Sequence, residues 1–192
     1  MCKIDSISFN PELAELVDPA RLNELGPGRV ERSQYARLKA LSPERLMAPR
    51  PVQDQDMAQA CLAGLWLLWD FLDESHAVSQ SLPSAEGSYW HGIMHRREPD
   101  YENARYWFRR VGEHPIHVSL VAEARRLAAD TTDPKAHFLR TQETWDPFCF
   151  VDLCESVERD GSKWGELCRR VQQWEWRQLF LHCLRRAAGE PT

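Results

Sequence analysis

The sequence predicts an all-α fold, a single-domain irregular helical bundle with a central antiparallel helical hairpin. Helix-start punctuation recurs along the chain: Asn10-Pro11, Asp18-Pro19, Ser42-Pro43 and Asp146-Pro147 each set a capping side chain before a proline at the first helical position. No stretch sustains polar/apolar alternation with β-branched enrichment, so a sheet has little to be made from. From Asp56 to about Ser81 the chain runs without a breaker until Pro83, which is room for a long helix.

Residues 1–53 read as an irregular arm of short helices, interrupted by Gly26-Pro27-Gly28 and Pro49-Arg50-Pro51 and wrapped on a main body over 54–192. The helix over 56–81 is apolar nearly all round in its first half, which assigns that half to the core. A short connection through Pro83 and Ser84 leads to a helix over 86–97, halted by Pro99, and its brevity makes the two helices antiparallel neighbours. Asp100 caps a third helix over 101–111, closed by Gly112 with Pro115 beyond. Helices over 116–129 and 147–159 follow, and a long amphipathic helix over 163–188 ends at Gly189.

At 192 residues the chain can bury a sizeable core, and 43% hydrophobic with 28% charged residues is a globular balance. A formal charge of −5 argues against a general binder of nucleic acid or acidic membranes. The N-terminus lacks the basic flank and apolar run of a leader, and the longest apolar run, 61–69, is far short of the roughly 20 residues a bilayer needs. The expectation is a soluble, cytoplasmic protein with no nucleic-acid or membrane partner. Six cysteines, Cys2, Cys61, Cys149, Cys154, Cys168 and Cys183, show no CxxC pair, which fits reduced, mostly buried thiols.

Chemistry concentrates in Ser88–Pro115, SYWHGIMHRREPDYENARYWFRRVGEHP. Its 28 residues hold three of the seven histidines, five arginines, three of the four tyrosines and two tryptophans. If the helices flanking Pro83 are antiparallel, a stripe of Trp69, Asp73, His76 and Gln80 faces a stripe of His91, His95 and Glu98, with Glu74 slightly round the helix. Three chemistries fit that cluster. His91 and His95, at i and i+4, can ligate one metal ion from a helix face, with Asp73, Glu74 or Glu98 completing the shell. Gly92 stands where a zinc protease of the HExxH type carries its glutamate, so that reaction is not indicated. Alternatively, Asp73 or Glu74 orients His76 or His91 as a general base. In the third reading Arg96, Arg97, Arg105, Arg109 and Arg110 clamp an anion, with Tyr101 and Glu98 in the binding set and Tyr89, Trp90, Tyr106 and Trp107 as flat walls. A buried hydrogen-bond network that only fixes helix register accounts for the same residues.

Other features carry less. His114 and His117 flank Pro115 as loop and helix-start residues, and His137 and His182 stand alone in the sequence. Cys149 and Cys154 suit a core helix, although Asp152 and Glu155 could place them beside a site. Asp-Glu-Ser-His at 73–76 matches a helicase box by chance, because no GxxxxGK phosphate loop accompanies it. The aromatic run at 174–183 has the spacing of a helix packed on the core.

The stretch EPDYENARYW at 98–107 resembles the helix-to-helix turn of tetratricopeptide repeats. Only one such unit is present, which implies an αα-hairpin rather than a solenoid. The WHxxxHRRExDYxNAxYWFRR pattern, with LLWDFLDESH before it at 67–76, resembles a family of bacterial and fungal proteins with no assigned activity. That resemblance spans about 60–182 and implies a defined site without naming a substrate or cofactor. The reading from the residues is a polar pocket between the hairpin helices that binds a small anionic metabolite and acts on it by acid–base chemistry. A metal-dependent helical enzyme using His91 and His95 and a helical protein-interaction module are the alternatives.

Overall fold

The computed structural model describes residues 11–18, 20–132, 134–161 and 164–191. Asn10, Pro19, Lys163 and Cys2, on which parts of the sequence reading fall, lie outside the described residues. The described chain is all-α, with eleven α-helices and no strand. These are α1 (Pro11–Leu16), α2 (Tyr35–Lys39), α3 (Pro43–Met47), α4 (Gln55–Leu68), α5 (Leu72–Ser79) and α6 (Ala85–Arg97). They continue with α7 (Tyr101–Val111), α8 (His117–Leu127), α9 (His137–Thr141), α10 (Pro147–Asp160) and α11 (Gly165–Ala187).

Side-chain caps start the helices where polar residues precede apolar periodicity. Ser42, Asp54, Ser84, Asp100 and Asp146 each accept a backbone N–H from the first turn of the helix that follows. α6 and α7 form the antiparallel hairpin, turning at Pro99 and Asp100. Gly92 lets them approach closely, since a Cβ there would stand 3.1 Å from the Phe108 ring. Gly64 does the same for α4 against α6, where a Cβ would meet the Trp90 ring at 2.7 Å. The core is one apolar cluster running from Leu13 to Ala187.

The helix expected over 56–81 is two helices. It breaks at Asp70, whose φ is +66°. The last carbonyls of α4 are taken by side chains from elsewhere: Arg97 Nη1 donates to the Leu67 carbonyl at 2.8 Å, and the Leu68 carbonyl accepts from Arg21 Nε at 2.6 Å and Asn23 Nδ2 at 2.9 Å. The Asp70 carboxylate accepts from Arg97, from Arg21 at 2.7 Å and from Asn23 at 2.8 Å. Three long-range donors thus stabilise a turn that local propensity does not call for. α5 then folds back on α4, with Ser75 Oγ donating to the Ala63 carbonyl at 3.0 Å.

Described residues of the N-terminal segment make hydrogen bonds to the helices that follow. Trp69 Nε1 donates to the Leu16 carbonyl at 2.9 Å, and Gln172 and Gln173 of α11 donate to the Glu24 and Arg21 carbonyls at 3.1 and 2.8 Å. α9 is a short helix that its sequence does not announce, and it packs against α8.

Candidate functional site

α6 carries His91 and His95 one turn apart, and the tight connection at Pro83 brings His76 of α5 against both. Ring centroids are 4.6 Å apart for His76 and His91, 5.4 Å for His76 and His95, and 4.8 Å for His91 and His95. One ligand nitrogen from each residue lies within 4.8 Å of the other two. His91 and His95 are buried and His76 is half-buried, so the cluster reaches the surface beside His76. Trp107 of α7 backs it, stacked on His91 at 3.9 Å and 22°. The Arg110 guanidinium lies over the same indole at 5.2 Å.

Neither ring nitrogen of His91 has a hydrogen-bond partner in the protein, although the residue is fully buried. Burial, with His95 and His76 alongside, pushes the His91 imidazole down to about 3. Burial also lowers His95, against the opposing pull of Glu98 and Asp100. His95 Nδ1 lies 3.2 Å from Glu98 Oε2, close but poorly aligned for donation, and 3.9 Å from Asp100 Oδ2. A carboxylate at Nδ1 holds that nitrogen as the N–H and leaves Nε2 with its lone pair. Glu98 and Asp100 also line a surface groove together with Asp73 and Glu74, and none of the three histidines is among its lining residues.

The remaining residues singled out from the sequence lie apart from this cluster. Trp90 is fully buried at the α4–α6 crossing, its ring 6.2 Å from that of Trp176. Arg96 pairs with Glu175 at 2.6 Å, with both side chains completely buried. Arg97 pairs with Asp70 and caps α4. Arg105 is held by Asp152 at 2.5 Å and Glu155 at 2.9 Å on α10. Tyr101 is half-buried near α10, and burial together with the Glu158 charge raises its hydroxyl to about 12. Arg109 is exposed.

Sequence reasoning gave Asp100 only a capping role and missed its place beside His95. It also missed that His114 and His182, 68 positions apart in the chain, converge on Glu86. No local spacing links these three residues, and only the packing of α11 on α6 and on the segment before α8 brings them together. Comparisons with protein-family profiles, with curated proteins and with solved structures return no match to this chain.

Proposed function

We propose that the protein is a metal-dependent helical enzyme whose centre is His76, His91 and His95. The observation that carries this reading is the convergence of three imidazoles, the innermost with both nitrogens unpartnered and its proton affinity depressed. A buried imidazole without a hydrogen bond is costly, and ligation is the interaction that best offsets that cost. Nitrogen donors at about 2.0–2.1 Å from a tetrahedral zinc stand about 3.4 Å from one another, so the observed cluster needs only small rotations to close. Imidazole donors suit zinc, copper, nickel or iron, and a three-histidine shell leaves a position open for a fourth ligand.

Such an ion supplies Lewis-acid polarisation of an oxygen donor at the open position. The chain's own groups do the rest. Glu98, 3.2 Å from His95 Nδ1, is placed to orient that imidazole once it rotates onto an ion, Trp107 covers the face of His91 on which it stacks, and the carboxylates of the groove supply negative charge that attracts cations. Asp73 or Glu74, in that groove, is the candidate to accept a proton from a reacting group. The anionic-metabolite reading has weaker support, because Arg96, Arg97 and Arg105 are already neutralised by carboxylates.

The test is zinc binding by purified, chelator-treated protein, measured by competition with a chromophoric chelator. Binding that His76→Ala, His91→Ala and His95→Ala each weaken at least tenfold, with the helical spectrum retained, supports the proposal. Unaltered affinity in all three variants overturns it.

A further inference from the structure

Away from this cluster, Glu86, His114 and His182 meet in the interior. Glu86 is in the first turn of α6, His114 lies in the connection between α7 and α8, and His182 is on α11. All three are buried, with relative exposures of 7%, 6% and 5%. His182 Nε2 stands 2.9 Å from Glu86 Oε1, and His114 Nε2 is 3.8 Å from the same oxygen. The ring centroids of the two histidines are 4.8 Å apart. One ligand atom from each of the three residues lies within 4.8 Å of the other two.

His114 Nε2 has no hydrogen-bond partner, its side chain is 2% exposed, and it points at the carboxylate without reaching it. A buried nitrogen left short of its acceptor is an unmet demand that packing alone does not explain. The site presents a buried carboxylate oxygen flanked by two imidazoles.

We propose that Glu86, His114 and His182 form a second divalent-metal site, enclosed and structural, with the second Glu86 oxygen or a trapped water left to complete the shell, which ties α6, the α7–α8 connection and α11 together. Two imidazoles and one carboxylate are a donor set for zinc or another borderline ion, and the single carboxylate neutralises half of its charge. Burial of all three donors leaves no route for a substrate, which separates this site from the one that opens beside His76. Ligation through His114 Nε2 requires a proton on Nδ1, so the Ile116 N–H contact to Nδ1, long at 3.4 Å, is given up on binding. The segments it joins are far apart in sequence, so metal binding stabilises the folded state by mass action. The inference stands independently of the His76–His91–His95 reading.

Zinc stoichiometry on the full chain separates the two. Wild-type protein is expected to hold two zinc ions. Glu86→Gln keeps an acceptor for His182, and His114→Leu removes a nitrogen that has no hydrogen bond through Nε2, so both variants should fold. Each is expected to hold one zinc ion, as is His91→Ala, and the Glu86→Gln/His91→Ala double variant none. One ion in the wild type that His91→Ala removes and Glu86→Gln retains overturns this inference and leaves the first site standing. One ion that Glu86→Gln removes and His91→Ala retains supports this inference and overturns the proposed function. Anomalous diffraction from zinc-soaked wild-type crystals requires no variant. A peak among Glu86, His114 and His182 supports the site, and its absence at saturating zinc overturns it.

Discussion

Arg96 and Glu175 form an ion pair in which neither side chain has any exposure, with Nη2 and Oε2 2.6 Å apart. Tyr89 donates to the other carboxylate oxygen at 3.2 Å, Gln172 Oε1 accepts from the same Nη2 at 3.3 Å, and the guanidinium carbon sits 4.6 Å from the centre of the Phe150 ring. The pair joins α6 to α11 at the middle of the core. An arginine beside two histidines in sequence therefore points away from them and fixes the helix on which they ride.

Removing one partner strands the other charge in the interior. Arg96→Met or Glu175→Gln is expected to cost about 3–5 kcal/mol of stability, while the double replacement Arg96→Met/Glu175→Leu costs less than the sum of its single changes. Denaturant unfolding measures all of these. Additive single effects would contradict the pairing.

Glu98 acts on the metal through His95. Glu98→Gln is expected to weaken zinc binding by about 10–100-fold, because an amide orients the imidazole less firmly than a carboxylate does. The thermal midpoint of the chelator-treated protein should change little, since Glu98 is only half-buried. A large loss of midpoint without loss of affinity would assign Glu98 to the fold instead.

Chelator-treated protein should lose stability as it is acidified. His91 sits at about 3 and His117 at about 4 when folded, against an ordinary value of 6.5. Between 6.5 and those values the unfolded chain binds more protons, so stability is complete above pH 6.5 and falls as pH drops toward 4 and then 3. The slope of unfolding free energy against pH in this window should shrink in His91→Phe. An unchanged slope in that variant would remove His91 from the account.

Gly28 closes the arm over Asp70. Its φ is +73°, and a Cβ there would stand 2.7 Å from Asp70 Oδ1. Gly28→Ala is expected to cost about 1–3 kcal/mol through backbone strain alone, with the displaced carboxylate adding to it. Amide exchange over residues 21–31 should quicken in the variant. Exchange at wild-type rates would show that the contact is not needed.

Much of the helical frame was legible because its signals are local. Ser84 and Asp100 cap where their sequence context says they should, Pro99 halts α6, and the short link at Pro83 forces α5 against α6, so His76 meets His91 and His95. The break at Asp70 was not legible, because the donors that stabilise it come from Arg21, Asn23 and Arg97. Arginine carries no mark in sequence that distinguishes a ligand clamp from a core counter-ion. Arg96 and Arg97 became the latter only through Glu175, 79 positions on in the chain, and Asp70, 27 positions back.

The amino-acid sequence by itself determined the all-α class, most helix boundaries of the main body and the placing of His91 and His95 on one helix face, since caps, breakers and i, i+4 spacing act over a few residues. Tertiary structure alone decided which charges cancel in the core and that His114 and His182 share Glu86. Those pairings depend on which distant helix faces lie in van der Waals contact, and no short-range preference encodes that.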